Sequence, residues 1–357
     1  MSGNSAPSVT VDRLLIVGLG SIGKRHARLA RMLLPDADIT VLRHRTCDDL
    51  EGTGIDHCVT SISAALAYRP QAAVIASPAS RHLDSAIPLA RAGVHVLMEK
   101  PIASDSLGVE KLVKSAQSHR VILMMAYNLR FLSSLQYFRN AVRDRRVGRV
   151  LSVHAEIGQY LPTWRPGTDY RESVSARAEH GGGVMLELSH EIDYLRWIFG
   201  DVQWLTATVR KQSDLDIDVA DTALLTLAFQ PHMSEQPVIV SLNMDFVRHD
   251  TTRRCTVIGE SGTIRWDAVA GLVEIFSEGA AHWDPLMLKP PERDESYLAE
   301  WRHFLDCIDS GAAPAVSGQD GLAALRIIEA AEVSSATGSA VTLGDAAPRS
   351  VSGSINA

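Results

Sequence analysis

The first third of the chain alternates between short, nearly continuous apolar runs and longer stretches whose apolar residues recur every three or four positions. RLLIVG (Arg13 to Gly18), DITVL (Asp38 to Leu42), AAVIAS (Ala72 to Ser77), VHVLMEK (Val94 to Lys100) and VILMMAY (Val121 to Tyr127) have the length and composition of strands buried on both faces. After the first run, His26, Leu29, Ala30, Leu33 and Leu34 mark a helix. SRHLDSAIPLARAG, stopped by Gly93, and LGVEKLVKSAQSH mark two more. Helices between buried strands predict a doubly wound parallel sheet, the α/β class.

After Val150 the rhythm changes. RVLSVHAEIGQY, VQWLTATVRK (Val202 to Lys211), DTALLTLAFQ (Asp221 to Gln230) and PVIVSLNMDF (Pro237 to Phe246) alternate like half-exposed strands, and CTVIGESGTIRWD reads as two strands joined at Gly259–Gly262. Strands in succession predict a large, mostly antiparallel sheet with one open face. A long loop (Leu161 to Gly183) and one helix (about Gly183 to Phe199) interrupt it, and two helices close the chain near Tyr297–Ser310 and Gln319–Thr337. Val238, Val240, Leu242, Met244 and Phe246 alternate along one strand with no evident helix to cover them. Such a patch predicts self-association, as a homodimer or homotetramer.

A length of 357 residues suits two domains, and a composition 46% hydrophobic and 22% charged supplies their cores. We expect tails at 1–12 and 346–357, a dinucleotide-binding domain at 13–127 and a substrate-binding and oligomerisation domain at 128–345. The net charge of −7 argues against a general nucleic-acid binder. No apolar run approaches the roughly 18 residues of a membrane span. The polar start, MSGNSAPSVTVD, has no apolar signal core, so the expected location is the cytoplasm. Cys47, Cys58, Cys255 and Cys307 form no C-x-x-C pair, so we expect free thiols and no metal site.

The first strand runs directly into Gly18-Leu19-Gly20-Ser21-Ile22-Gly23 and then into a helix. In that order the glycines allow a tight turn and a close backbone approach to a pyrophosphate, which the helix N-terminus attracts. An NAD site of this kind carries an acid near the end of the next strand to hold the ribose hydroxyls. Here Arg43, His44 and Arg45 stand there instead, and a guanidinium pairs with a 2′-phosphate. NADP is the favoured cofactor, with NAD the alternative.

Ligands of doubly wound sheets lie beyond the carboxyl ends of the strands. Ser77 and Pro78, Glu99, Lys100 and Pro101, and Tyr127 and Asn128 are therefore expected around one crevice. His82 and Arg165 join Ser77, Pro78, Glu99, Lys100 and Asn128 as cofactor candidates. In GGGVMLELSHEIDYLRWIFG, Glu187 and His190 at i and i+3 share a helix face and can point into the crevice together. The long loop, GQYLPTWRPGTDYRESVSARAEH, is rich in rings and charge. Tyr160, Trp164, Arg165, Asp169, Tyr170 and Arg171 are substrate-wall candidates, with Asn128, Arg130, Lys100 and His190. The loop arginines, Arg177 among them, lean the expected sugar-like substrate towards an anion.

Together VGLGSIGKRHARLA, SPASRHLDSAIPLARAGVHVLMEKPIA, the triple-glycine segment and the closing VSGQDGLAALRIIEAAEVSSATGSAV resemble the Gfo/Idh/MocA family, typified by glucose–fructose oxidoreductase and inositol 2-dehydrogenase. The resemblance covers roughly Arg13 to Leu343. It implies an N-terminal Rossmann domain, a C-terminal α/β domain on an open sheet, and hydride transfer at a carbinol or carbonyl carbon of a sugar, polyol or nucleotide-linked sugar. It also makes Lys100 the lysine of the Glu-Lys-Pro motif and His190 the active-site histidine. Many members carry an Asp four residues before that histidine; here Leu186 stands there, and an acid, Glu187, sits three before it. A member that keeps its cofactor bound, as an epimerase or transhydrogenase does, and a non-catalytic dinucleotide sensor are the alternative functions.

Overall fold

The computed structural model describes residues 11–45, 50, 53–230 and 236–344; Cys47 and nearly all of both expected tails lie outside them. The six strands of the first sheet, all but β3 predominantly buried, are β1 (Arg13–Val17), β2 (Asp38–Leu42), β3 (His57–Val59), β4 (Ala72–Ile75), β5 (His95–Glu99) and β6 (Leu123–Ala126). They run parallel in the order β3-β2-β1-β4-β5-β6. Their side chains alternate between two cores. Leu15, Val17, Ile75, Val96 and Met98 pack under the helices α3 (His82–Arg91) and α4 (Val109–Ser118). Leu14, Ile16, Ile39, Val41 and Leu97 pack under α1 (Ser21–Leu33). The hydrophobic pattern passed over β3 and the short helix α2 (Ile62–Ala67), which are too brief to show a period.

From α5 (Ser133–Arg143) the chain enters a nine-stranded sheet. Its strands are β7 (Val150–Gly158), β8 (Val202–Arg210), β9 (Thr222–Phe229), β10 (Val238–Asp245), β11 (Thr252–Gly259), β12 (Gly262–Asp267), β13 (Leu272–Ser277), β14 (Asp284–Leu288) and β15 (Val341–Thr342). The order is β14-β13-β12-β11-β7-β10-β9-β8-β15, antiparallel except that β7 and β10 run parallel. Helices α6 (Val184–Glu187), α7 (His190–Phe199), α8 (Glu295–Ser310) and α9 (Gly318–Thr337) complete the chain. Buried Trp266 anchors the covered face of this sheet. It lies against Phe138 of α5 and Tyr194 of α7, and its ring nitrogen donates to Ser134 Oγ at 3.0 Å.

Three expectations are corrected. First, Val240, Leu242, Met244 and Phe246 are fully buried, so they line the covered side of the second sheet. The opposite parity of β10 faces out, with Ile239 and Asn243 exposed beside Leu224 of β9. An apolar period-two set marks the side that finds a helix, whether or not the helix is visible in the pattern. Second, Cys255 and Cys307 are free and buried, but Cys58 is disulfide-bonded. Spacing along the chain does not report which thiols meet in space. Third, the expected helix over Gly183 to Phe199 is two helices, α6 and α7, broken at Leu188 and Ser189.

Helix α8, from the far end of the sequence, returns to the first sheet. Trp301, Phe304 and Ile308 fill the same core as Leu14, Ile16 and Val74. Trp301 and Phe304 are fully buried; truncating either to alanine costs about 3–5 kcal/mol. The Trp301 indole donates to His26 Nδ1 at 2.9 Å, which leaves His26 Nε2 to donate to Glu99 Oε1 at 2.8 Å.

Candidate active site

The glycine turn fits a dinucleotide. Gly18 has φ +90°, and a Cβ there would stand 2.7 Å from the Ala76 carbonyl; a Cβ on Gly23 would strike the Gly18 carbonyl oxygen. These two glycines press turn, helix and β4 together. Gly20 differs: a Cβ there meets nothing within 4 Å, and no side chain caps the helix that begins after it. Its position leaves open space before the free N–H groups of a 13-residue helix, where a pyrophosphate is favoured. Ser77 Oγ, on the loop after β4, is buried with no hydrogen-bond partner. Arg43 follows the end of β2, half-buried, with its amide donating to the Val59 carbonyl at 3.1 Å; His44 and Arg45 are exposed.

Other expected cofactor residues are buried and turned to partners within the protein. His82 is buried, its ring nitrogens 3.0 and 2.8 Å from the Pro101 and Ser77 carbonyl oxygens, so it braces two crevice loops. Glu99 is turned to His26. Asn128 is 7% exposed and donates to Ser296 Oγ of α8 at 2.8 Å.

Lys100 follows the end of β5. Its Nζ donates to the backbone carbonyl of Glu187 at 2.8 Å and lies 3.8 Å from the Glu187 carboxylate. This contact falls at the break between α6 and α7. In a continuous helix the Glu187 carbonyl would accept the Glu191 amide; here that amide donates to Leu188 instead. The break sets His190 at the start of α7, where its ring meets Tyr127 edge-on at 5.5 Å. Tyr127 donates to Ser189 Oγ at 3.4 Å. His190 Nδ1 is buried without a partner. Burial first, then the charges of Lys100 and Arg253, hold the imidazole well below its ordinary pKa of 6.5, so it is neutral at pH 7.

The structure removes Arg130 from the substrate set. It is 5% exposed and its donors are consumed by Asp193 (2.9 and 2.6 Å), Asp320 (3.2 Å) and the Ala315 carbonyl (3.0 Å). That pair also occupies Asp193. A buried arginine needs such partners, and the sequence does not show which carboxylate will meet it. In the long loop, Tyr160 lies against His249, with ring centroids 4.2 Å apart. Trp164 donates to the Gln159 carbonyl at 3.0 Å, and the Tyr170 hydroxyl accepts the Asp216 amide at 3.2 Å. Asp169 and Arg171 pair with each other at 2.6 Å, and Arg177 donates to the Arg171 carbonyl at 2.8 Å. Two loop arginines are thus engaged within the loop. Arg165 is exposed in a shallow depression with Leu161, Trp164, Thr168 and Tyr170.

Sequence reasoning missed Arg253 of β11, whose Nε donates to Glu191 Oε1 at 2.8 Å. No local pattern points to it, because its partner stands 62 residues away on another element.

Residues 13–127 match the NAD-binding Rossmann fold of an oxidoreductase family, Gfo/Idh/MocA, and residues 139–343 match the C-terminal alpha/beta domain of the same family. The chain belongs to the Gfo/Idh/MocA family. Among its Gfo/Idh/MocA relatives, the inositol 2-dehydrogenase of Rhizobium meliloti is 28% identical over 334 residues, 89% of this chain and 95% of that protein. The myo-inositol 2-dehydrogenase of Thermotoga maritima is 26% identical over 90% of this chain and 96% of its own. The fold is also that of the WlbA dehydrogenase from Bordetella pertussis, solved with NADH and UDP-GlcNAcA: TM-score 0.76 at 24% identity, covering 93% of this chain and 98% of that one. Among the described residues no helix is long and apolar enough to cross a membrane.

Proposed function

We propose that this Gfo/Idh/MocA member is a dehydrogenase or reductase acting on a carbinol or carbonyl carbon of a sugar, sugar acid, nucleotide sugar or polyol, with NADP preferred over NAD. The observation that carries the reading is the seating of Lys100 on the Glu187 carbonyl beside a neutral His190. The inositol dehydrogenases among its relatives support a polyol or sugar as the substrate class.

Backbone N–H groups from Gly20 to Gly23 would hold the pyrophosphate, with Ser77 Oγ as a further donor and Arg43 and Arg45 at a 2′-phosphate. A bound nicotinamide supplies or accepts the hydride at the carbinol carbon. Lys100 Nζ takes the hydroxyl proton during oxidation and returns it during reduction. Its hold on the Glu187 carbonyl fixes the side chain at one place in the crevice. The neutral imidazole of His190 has one N–H and one lone pair, so it can hold the hydroxyl oxygen or pass its proton onward. Tyr127, packed edge-on, keeps that ring in place. Self-association through the outward face of the second sheet, where Leu224 and Ile239 are exposed, completes the proposal.

The test is a steady-state survey of inositols, aldoses and uronic acids with NADP and NAD, run on wild type, His190→Asn and Glu187→Gln. At least one sugar or polyol is turned over. His190→Asn lowers kcat by about 100-fold, the scale of one general acid–base group. Glu187→Gln costs less than about tenfold, because the backbone carbonyl, not the carboxylate, makes the short contact with Lys100. Tight cofactor binding with no turnover of any carbinol would reject the dehydrogenase reading.

A further inference from the structure

The arginine-rich loop suggested an anionic substrate, yet Arg171 and Arg177 are engaged within that loop. Several arginines elsewhere in the substrate domain are engaged as well. Arg130 is bound by Asp193 and Asp320, and Arg248 by Glu156 and Asp250. Arg254 pairs with Asp267, on the side of β11 opposite its neighbour Arg253.

Arg253 is different. It lies on the same side of β11 as buried Cys255, the side that faces the helices. Among the described residues its only side-chain partner is Glu191, met by Nε alone. Glu191 is fully buried, and its second oxygen, Oε2, has no hydrogen-bond partner. The contact is therefore not the two-toothed pairing that guanidinium and carboxylate favour. The carboxylate fixes one corner of the guanidinium and leaves both terminal nitrogens uncommitted, on a side chain 22% exposed. Arg253 also stands close enough to His190 for its charge, with that of Lys100, to depress the imidazole's basicity. A buried carboxylate, on the residue next to His190 in α7, thus holds an arginine by one nitrogen.

We propose that Arg253, positioned by Glu191, is the anion anchor of the substrate site: its terminal nitrogens take an oxyanion substituent, carboxylate or phosphate, on a sugar whose carbinol lies at Lys100 and His190. The proposal rests on the reading of Lys100 and His190 as the carbinol end. It places the selection for negative charge on the sheet floor rather than in the loop. A planar guanidinium suits both oxyanions, and its rigid fork suits them better than an ammonium does.

Matched sugars separate the possibilities. Dissociation constants are measured for the full-length protein with NADPH bound, so that no alcohol is oxidised during the measurement. The ligands are D-glucose, D-glucuronate and D-glucose 6-phosphate, with the corresponding galacto and manno sets. In at least one set the wild type binds an anionic member about tenfold or more tightly than the neutral sugar, the scale of one charge-assisted hydrogen bond. Whether the uronate or the phosphate gains the advantage identifies the oxyanion. Arg253→Met brings that ratio to within about threefold of one. Arg253→Lys, which keeps the charge but not the fork, retains part of it and guards against loss of fold in the first variant. No preference for any anionic member in the wild type, or a preference that persists in Arg253→Met, overturns the proposal. Hydride transfer is assayed separately on the same sugars. Its absence would count against the dehydrogenase reading, while the binding ratio still reports on Arg253.

Discussion

Lys100 Nζ donates at 2.8 Å to the backbone carbonyl of Glu187, 87 residues away, and this is the carbonyl that a continuous helix would have given to the Glu191 amide. One side-chain contact therefore seats the lysine at the point where α6 ends and shortly before the helix that begins with His190. Lys100→Met is expected to lower kcat by at least about 100-fold, while NADPH affinity, set mainly at the glycine turn, changes only a few-fold. Pre-steady-state hydride transfer and a fluorescence titration measure the two quantities. Turnover close to wild type would remove Lys100 from the chemistry.

His190 gives the second prediction. Burial and two neighbouring cations hold its pKa well below 6.5, so it stays neutral as pH falls through 6.5 and protonates only further down. The kcat/KM profile should then show no loss from this imidazole near pH 6.5, with any acid limb lying lower. In Lys100→Met one of the two charges is gone, and the His190 titration, followed by NMR, moves upward towards the ordinary value. An imidazole titrating at 6.5 in the wild type contradicts the assigned environment.

Cofactor choice should rest on Arg43 and Arg45 at the end of β2. The wild type is expected to bind NADPH about tenfold or more tightly than NADH, with the margin shrinking as salt rises. Arg43→Asp reverses the preference by repelling the phosphate and accepting the ribose hydroxyls. Paired dissociation constants at low and high salt decide it; equal, salt-independent affinities return the cofactor to NAD.

Glu300 of α8 is fully buried, and neither carboxyl oxygen has a hydrogen-bond partner. Burial, then the nearby Glu99 charge, pushes its pKa well above the ordinary 4.5. A carboxyl raised in the folded state contributes stability below 4.5 and loses it as pH rises through the folded value. Melting temperatures at pH 5 and pH 8 should therefore diverge, with Glu300→Gln gaining on the wild type at the higher pH. Curves that stay parallel across that range would show the carboxyl is not held neutral.

The parallel sheet was legible because its strands are continuous apolar runs punctuated by helices. The place of Lys100, directly after β5, was legible because Glu-Lys-Pro closes an apolar run. What escaped depended on meetings between distant elements. Arg130 looked like a crevice residue until Asp193 and Asp320 were seen to enclose it. Arg253 carried no signal because its meaning comes from Glu191, on a helix that packs against its strand. The apolar stripe of β10 marks one face of its strand, but that face is the covered one, because period-two patterning does not show where a helix will pack. The break at Leu188 and Ser189 was invisible because the apolar residues keep a helical spacing across it, and the Lys100 contact beside it comes from far upstream.

The return of α8 to the first sheet has a consequence for the order in which the protein comes into being. The partners Trp301 and His26 are 275 residues apart. A ribosome finishes all six strands of the first sheet long before it makes the helix that covers Leu14, Ile16 and Val74 on one side. Through that interval the flank that α8 shares with α1 is only partly covered in the nascent dinucleotide-binding half. The two halves are thus unequal in time: the first to be synthesised is the one that waits, and a chain cut short before residue 295 leaves it permanently unfinished.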